Sequence, residues 1–223
     1  MPAAKGNPCN YFIAKTFGHI VGALVITTAS AANPIIYNEV AKVMNPLMAA
    51  IFWILAAIIS FMIIGLFPPN SPLKYAMAIL SAIIIGQLSG NNFTRLENEN
   101  LLFRVFFLTT GVFVAMMLVG IYDNQNFLAL QSYLLATIIG LIIAELILYF
   151  IELFNPQAQA NLLGLNTLLT FISVGVFSIY AVANMQNLKD RAKSCNGQPD
   201  FIAESQGLFM TYVNLFQNIS NMN

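Results

Sequence analysis

The stretch FFLTTGVFVAMMLVGIYDNQNFLALQSYLLATIIGLIIAELI, residues 106–147, decides the class of fold. It holds two apolar runs, and a helix needs about 20 apolar residues to cross a bilayer. The polar break DNQN, residues 123–126, separates the two runs. Breaks rich in Asn and charge end helices and tolerate water. The stretch therefore predicts two consecutive transmembrane helices.

The same alternation of apolar runs and polar breaks continues over the chain, which is 58% hydrophobic and 8% charged. Ordinary globular domains are about 45–50% apolar and about 25% charged. Six segments qualify as transmembrane helices and a seventh is less apolar; they lie at about 12–32, 46–67, 73–90, 101–122, 127–151, 161–183 and 201–219. The seventh would be a poor membrane span alone, so we expect the other six to surround it. The prediction is an all-α polytopic membrane protein with one transmembrane domain, residues 1–223.

Composition also excludes several classes of function. The net charge is zero and the nine Lys and Arg residues are scattered, so no basic surface for nucleic acid is expected. Cys9 and Cys195 form no CxxC pair, and His19 is the single histidine, so we expect no metal site, cofactor or disulfide framework. No Asp lies within a predicted span, and no Ser has an obvious His partner. An enzyme is not expected.

The distribution of positive charge predicts the orientation of the chain in the membrane. With six crossings, one side carries Lys5, Lys15, Lys74, Lys189, Arg191 and Lys193, and the other carries Lys42, Arg95 and Arg104. Because cytoplasmic loops carry the excess of Lys and Arg, we expect a cytoplasmic N-terminus. The same orientation places Cys9 and Cys195 on the cytoplasmic side.

Polar residues form a stripe on each of the last two predicted helices. The stripe of the sixth helix comprises Asn166, Thr170, Ser173, Tyr180 and Asn184, and that of the seventh comprises Glu204, Gly207, Thr211, Asn214 and Asn218. At 3.6 residues per turn, each set lines one helix face. Unsatisfied polar groups in hydrocarbon cost several kcal/mol each, so these faces should meet each other or water. Helix–helix hydrogen bonding and a water-filled path both remain open.

Glu145, His19 and Arg104 are candidate intramembrane ionisable residues. An ionised carboxylate at a helix centre costs about 2.5–3.5 kcal/mol on insertion scales, so Glu145 should be protonated, paired, facing inward, or close enough to the interface to reach water. Gln131 lies about 40 degrees from Glu145 around the helix, and Arg104 is the nearest partner by depth. His19 is either a pH-sensitive group or an ordinary packing residue.

Four quoted stretches carry a resemblance to a known family. SPLKYAMAILSAIIIGQLSG (71–90) and residues 106–147 look like the third through fifth helices of the Bax inhibitor-1, or transmembrane Bax inhibitor motif, family. VFSIYAVANMQNL (176–188) and PDFIAESQGLFMTYVNLFQNI (199–219) are similar to its sixth helix and to its loop and short seventh helix. The resemblance implies six helices around a central seventh. It also implies calcium leak across an internal or plasma membrane, and suppression of cell death.

The chain departs from this family at its best-understood feature. The resemblance implies a proton-sharing aspartate pair, one at the end of the sixth helix and one in the seventh, with an arginine latch in the second. Those aspartate positions hold Asn184 and Thr211, and no arginine lies between Pro46 and Phe67. Coupled carboxylates titrate near neutral pH, whereas an amide and a hydroxyl do not. The pH gate is therefore predicted to be absent.

Two functional hypotheses follow from these observations. The first is a Bax-inhibitor-like protein of an endomembrane or the plasma membrane that affects calcium balance and cell survival, with the two polar stripes as gate or pore lining. The second is a non-conducting scaffold or assembly component, for example of a viral membrane or virion. Expected partners are the lipid bilayer, calcium ions in the first case, and other proteins of a membrane assembly in the second.

Overall fold

The computed structural model describes residues 11–44, 46–123, 125–155, 158–193 and 199–222. Over these residues the secondary structure is helical, which confirms the all-α prediction. A short 3-10 turn, Phe127–Leu130, leads into the sixth helix. The helices are α1 (Phe12–Ala31), α2 (Ile35–Val43), α3 (Pro46–Ile64), α4 (Pro72–Asn98), α5 (Leu102–Tyr122), α6 (Gln131–Phe154), α7 (Ala158–Lys193) and α8 (Phe201–Asn221).

Five segments of the described chain are long and apolar enough to cross a membrane. They are Phe12–Ala31, Pro72–Asn98, Leu102–Tyr122, Phe127–Leu148 and Leu162–Lys193. The described apolar part of α3, Met48–Ile64, is shorter. A turn that contains Pro68 and Pro69 follows α3, because proline has no backbone N–H to continue a helix. These helices are compatible with the predicted seven-helix arrangement.

The fourth helix is longer than predicted. We expected its end near residue 90, because the polar sequence NNFTRLENEN reads as a loop, but α4 continues to Asn98. Leu96 is fully buried and fixes this polar extension against the protein, while the Thr94 hydroxyl donates to the carbonyl of Gly90. The helix ends before Asn100, whose φ of 57° is left-handed, a conformation that Asn tolerates and that commonly ends helices.

Two further boundaries differ from the prediction. The segment between the first two predicted spans contains the nine-residue helix α2 rather than only a loop. Helix α7 has 36 residues and continues to Lys193, ten residues past the predicted end of the span. At 1.5 Å per residue its length is about 54 Å, more than the hydrocarbon core of about 30 Å.

The chain divides into two compact units, which are described separately. The first comprises the described residues of Met1–Glu97 and Leu188–Phe209, and the second those of Asn98–Asn187 and Met210–Asn223. Helices α7 and α8 each contribute residues to both units. The prediction of one transmembrane domain stays a prediction.

Close packing of α1 against α4 organises the first unit. A Cβ added to Gly86 would lie 2.5 Å from the carbonyl oxygen of Thr27, so only glycine permits this approach. The hydroxyls of Thr27 and Ser30 donate to the carbonyls of Ala82 and Ile83, at 3.1 and 2.9 Å. Small polar residues therefore join these two helices.

A second close approach organises the other unit. A Cβ on Gly120 of α5 would lie 2.7 Å from the Cβ of Met185 and 2.8 Å from the carbonyl oxygen of Val182, both on α7. Met185 is fully buried at this contact. In the same unit, the Tyr212 hydroxyl lies 2.9 Å from the Thr110 hydroxyl, and the Tyr212 ring packs edge-on against Phe113. The contacts hold α5 against α7 and α8.

Helix α8 is well buried, as its weak hydropathy predicted. Eleven of its residues have less than a tenth of their surface exposed: Phe201, Ile202, Ser205, Leu208, Phe209, Thr211, Tyr212, Leu215, Asn218, Ile219 and Ser220. A helix of this polarity is stable in a membrane when protein rather than lipid surrounds its polar groups. The burial therefore explains how a segment that is a poor membrane span can be accommodated.

Candidate functional site

The side chains of Asn184 and Thr211 meet in the second unit. The Asn184 Nδ2 donates to the Thr211 Oγ1 at 3.4 Å, and Thr211 is only 1% exposed. Helix α7 presents Asn184, and α8 presents Thr211. These are the two positions where the family resemblance implies the aspartate pair, so the structure brings together the residues that occupy them.

Helix α6 joins this pair through Gln131. The Gln131 Nε2 donates to the Asn184 Oδ1 at 3.4 Å, so the Asn184 amide links α6 to α8. Tyr180, one turn earlier on α7, is half-buried and its hydroxyl interacts with the Asn184 side chain. The cluster consists of two amides and two hydroxyls. Neither the Asn184 amide nor the Thr211 hydroxyl titrates near neutral pH, so this pair cannot share or release a proton as two carboxylates do.

A second polar contact joins α6 to α7. The Ser173 Oγ donates to the Glu145 Oε1 at 2.7 Å, and Ser173 is fully buried. We suggested Arg104 as the partner of Glu145 from sequence, and that suggestion is wrong. Arg104 is exposed in the first turn of α5, and no ion pair joins it to Glu145 in the described part of the chain. The partner of Glu145 is instead the Ser173 hydroxyl of α7.

Three other stripe residues, Thr170, Asn214 and Asn218, bond their own helices. The Thr170 hydroxyl donates to the Asn166 carbonyl at 2.8 Å. The Asn214 and Asn218 amides donate to the carbonyls of Met210 and Asn214, at 2.8 and 2.9 Å. Asn166, Thr170, Ser173, Tyr180 and Asn184 are all buried or half-buried. The stripe of α7 is therefore an inward face.

Two predicted site residues belong to the first unit. Glu204 forms a salt bridge with Arg191 there, so its carboxylate is paired rather than presented in a polar path. His19 packs edge-on against Tyr75, with ring centroids 5.4 Å apart, and lies 6.4 Å from the Phe201 ring. These contacts agree with the second interpretation of His19, that it is an ordinary packing residue.

Gln186 has a role that sequence reasoning did not assign. It is 8% exposed, its Oε1 accepts from the Phe127 backbone N–H at 3.0 Å, and its Nε2 donates to the Gln125 carbonyl at 2.7 Å. The amide thus holds the connection between α5 and α6. The sequence feature that could have indicated this role is an uncharged amide two residues after Asn184, at the end of an apolar run.

Comparisons with known proteins support the resemblance. A family model described as "Inhibitor of apoptosis-promoting Bax1" matches residues 9–222. An uncharacterized membrane protein of Streptococcus pyogenes serotype M3 is 24% identical over 220 residues, which cover 93% of this chain and 89% of the relative. Another, from serotype M6, is 26% identical over 121 residues, or 53% and 49% of the two chains. The chain is an integral membrane protein and belongs to the Bax inhibitor family.

Proposed function

We propose that this chain is a passive, non-enzymatic calcium leak that affects calcium balance and cell survival and lacks a proton-operated gate. Membership of the Bax inhibitor family supports the calcium and cell-survival parts, since the resemblance implies both. The polar inward face of α7 supports a path for ions through or beside the second unit.

The side chains at positions 184 and 211 support the absence of a pH gate. Asn184 and Thr211 keep the side-chain contact between α7 and α8 at 3.4 Å, but neither residue titrates near neutral pH. Two carboxylates at this spacing would repel each other and share a proton, which makes an interaction between helices depend on pH. An amide and a hydroxyl instead retain their hydrogen bond over the whole physiological pH range.

The same chemistry indicates weak calcium binding at this contact. Calcium takes six to eight oxygen ligands and prefers carboxylates. Asn184 and Thr211 supply neutral oxygens, and hydrogen bonds already occupy part of their capacity. Weak binding favours passage over retention.

Calcium flux into proteoliposomes tests the proposal. We expect the wild type to leak calcium at a rate that is nearly constant between about pH 6 and pH 8, where ordinary carboxylates stay ionised. The double variant Asn184→Asp with Thr211→Asp should make the leak pH-dependent. A neutral control, Asn184→Ala with Thr211→Val, removes the hydrogen bond without adding charge and should leave the pH profile flat.

Two results would contradict the proposal. A wild type that leaks no faster than protein-free liposomes conducts nothing, and a steeply pH-dependent wild type has another sensing group. The first result would favour a non-conducting scaffold or assembly component. One observation suits that second candidate: the Asn184 amide bonds both Gln131 and Thr211, as polar residues do when they hold membrane helices together.

A further inference from the structure

We propose that Glu145 and Ser173 form a binding site for one small cation inside the helical bundle of the second unit. The site is separate from the Asn184–Thr211 contact. It does not rest on the proposed calcium leak, because a protein that conducts nothing would still have to neutralise this carboxylate. The argument depends on where Glu145 lies, which way it faces and what surrounds it.

The position of Glu145 along α6 is within the apolar part of the helix. It lies 14 residues after the first residue of α6 and nine before the last. The next acidic position, Glu152, is two turns further on, or about 10 Å at 1.5 Å per residue. A glutamate side chain is too short to span that distance along the helix to the polar end.

The orientation of Glu145 is inward. Among the α6 side chains that the structure describes, Ile138, Leu141 and Leu148 are buried, and Glu145 lies seven, four and three residues from them, on the same helix face. Ile142, Ile143 and Ile147 occupy other faces and are exposed. Lipid therefore contacts the isoleucines, and the carboxyl group faces protein.

The surroundings of the carboxylate supply a hydrogen bond but no positive charge. Ser173, fully buried on α7, donates to Glu145 Oε1 at 2.7 Å. Among the described residues, no Lys or Arg nitrogen lies within salt-bridge distance of it. Two titratable residues of α7 and α8 in this unit have other partners: Tyr180 interacts with Asn184, and the Tyr212 hydroxyl bonds that of Thr110.

A half-buried carboxylate in the apolar part of a membrane helix, with a single hydroxyl partner, is unfavourable unless a positive charge accompanies it. A bound cation supplies that charge. One carboxylate and one hydroxyl fall short of the six to eight oxygens that calcium takes, so the site suits a proton, or a metal cation that keeps most of its water. The proton and the hydrated metal cation meet the same requirement, which is a positive charge at the Glu145 oxygens.

Labelling with a hydrophobic carbodiimide, dicyclohexylcarbodiimide, tests the site in the full chain in liposomes. A protonated carboxyl adds across one carbon–nitrogen double bond of the reagent, its proton moves to nitrogen, and rearrangement leaves an N-acylurea that keeps the whole reagent mass. We expect mass spectrometry to locate this adduct on Glu145 at neutral pH in chelator and without metal salts. Glu145→Gln should abolish it.

Added metal salts distinguish the two sources of charge. Labelling that Na⁺, K⁺ and Ca²⁺ leave unchanged identifies a proton as the occupant, whereas labelling that one of them lowers several-fold identifies that metal. Ser173→Ala should change the labelling rate several-fold, because it removes the hydroxyl at the carboxylate. An unchanged rate would remove Ser173 from the site.

The exposed Glu39 provides the control for access to water, since its side chain is 64% exposed. A water-soluble carbodiimide with an amine should modify Glu39 and leave Glu145 unmodified. Equal modification of both residues, or no hydrophobic adduct on Glu145 at neutral or acid pH, would overturn the proposal. These measurements use the wild type, so they remain decisive if Glu145→Gln does not fold.

Discussion

Lys74 and Asp200 form a salt bridge in the first unit in which the lysine is almost completely buried. The Lys74 residue is 2% exposed, and its Nζ also donates to the Phe67 carbonyl at 3.3 Å. The same aspartate accepts from the Ala203 backbone N–H at 3.1 Å and so caps the start of α8. One carboxylate therefore neutralises a buried cation and fixes the first turn of a helix.

Asp200→Asn should destabilise the protein, because it keeps an acceptor for the cap but leaves Lys74 buried without its counter-charge. Breaking a buried pair costs about 3–5 kcal/mol, and we expect the low end because the aspartate is partly exposed. Thermal unfolding in detergent measures the change. The control is Asp190→Asn, which removes an exposed pair with Lys193 and should cost about 0–1 kcal/mol. Equal effects of the two changes would show that the buried pair adds nothing.

Gly120→Ala should also lower the melting temperature. The added Cβ would lie 2.7 Å from the Met185 Cβ and 2.8 Å from a backbone oxygen, so α5 and α7 must move apart. Overpacking of this kind costs about 1–3 kcal/mol. Gly111→Ala on the same helix is the matched control: an added Cβ there meets nothing within 4 Å, so the change should be neutral or slightly stabilising. Similar melting temperatures for the two variants would contradict the close approach.

Gln186→Leu should weaken the connection between α5 and α6. The change keeps the approximate size of the side chain but leaves the Phe127 N–H and the Gln125 carbonyl without their partner. Each unsatisfied group costs about 1–3 kcal/mol when it is buried. Gln186→Glu keeps the acceptor for Phe127 but buries a carboxylate against the Gln125 carbonyl, so it should weaken the connection as well. Limited proteolysis of this connection, followed by mass spectrometry, measures the loosening; unchanged cleavage in Gln186→Leu would exclude this role.

The charge distribution makes a prediction about sidedness. Cys9 and Cys195, which lie outside the described residues, should both face the cytoplasm, because the side with more Lys and Arg is cytoplasmic. A membrane-impermeant maleimide should label both in inverted vesicles and neither in right-side-out vesicles. Single variants Cys9→Ser and Cys195→Ser assign each signal. Labelling of the two cysteines from opposite sides would require an odd number of crossings between them.

Part of the candidate site could be predicted from the sequence. The spacing of polar residues on the α7 segment indicated an inward stripe, and the resemblance paired Asn184 with Thr211. The partner of Glu145 could not be predicted, because depth alone suggested Arg104. Side-chain contacts between helices also depend on the rotation and register of those helices. Glu204 shared the spacing of the α8 stripe, but its pairing with Arg191 depends on where α7 ends, ten residues beyond the predicted boundary.

The sequence by itself determined the all-α class, the apolar helices and the absence of titratable groups at positions 184 and 211, since hydropathy and residue chemistry are local properties of the chain. Tertiary structure decided that α4 continues to Asn98, because the burial of Leu96 outweighs the polar composition around it. It also decided that Glu145 meets Ser173, because that contact joins residues 28 positions apart on two helices. Packing between helices, rather than the composition of either one, sets such contacts.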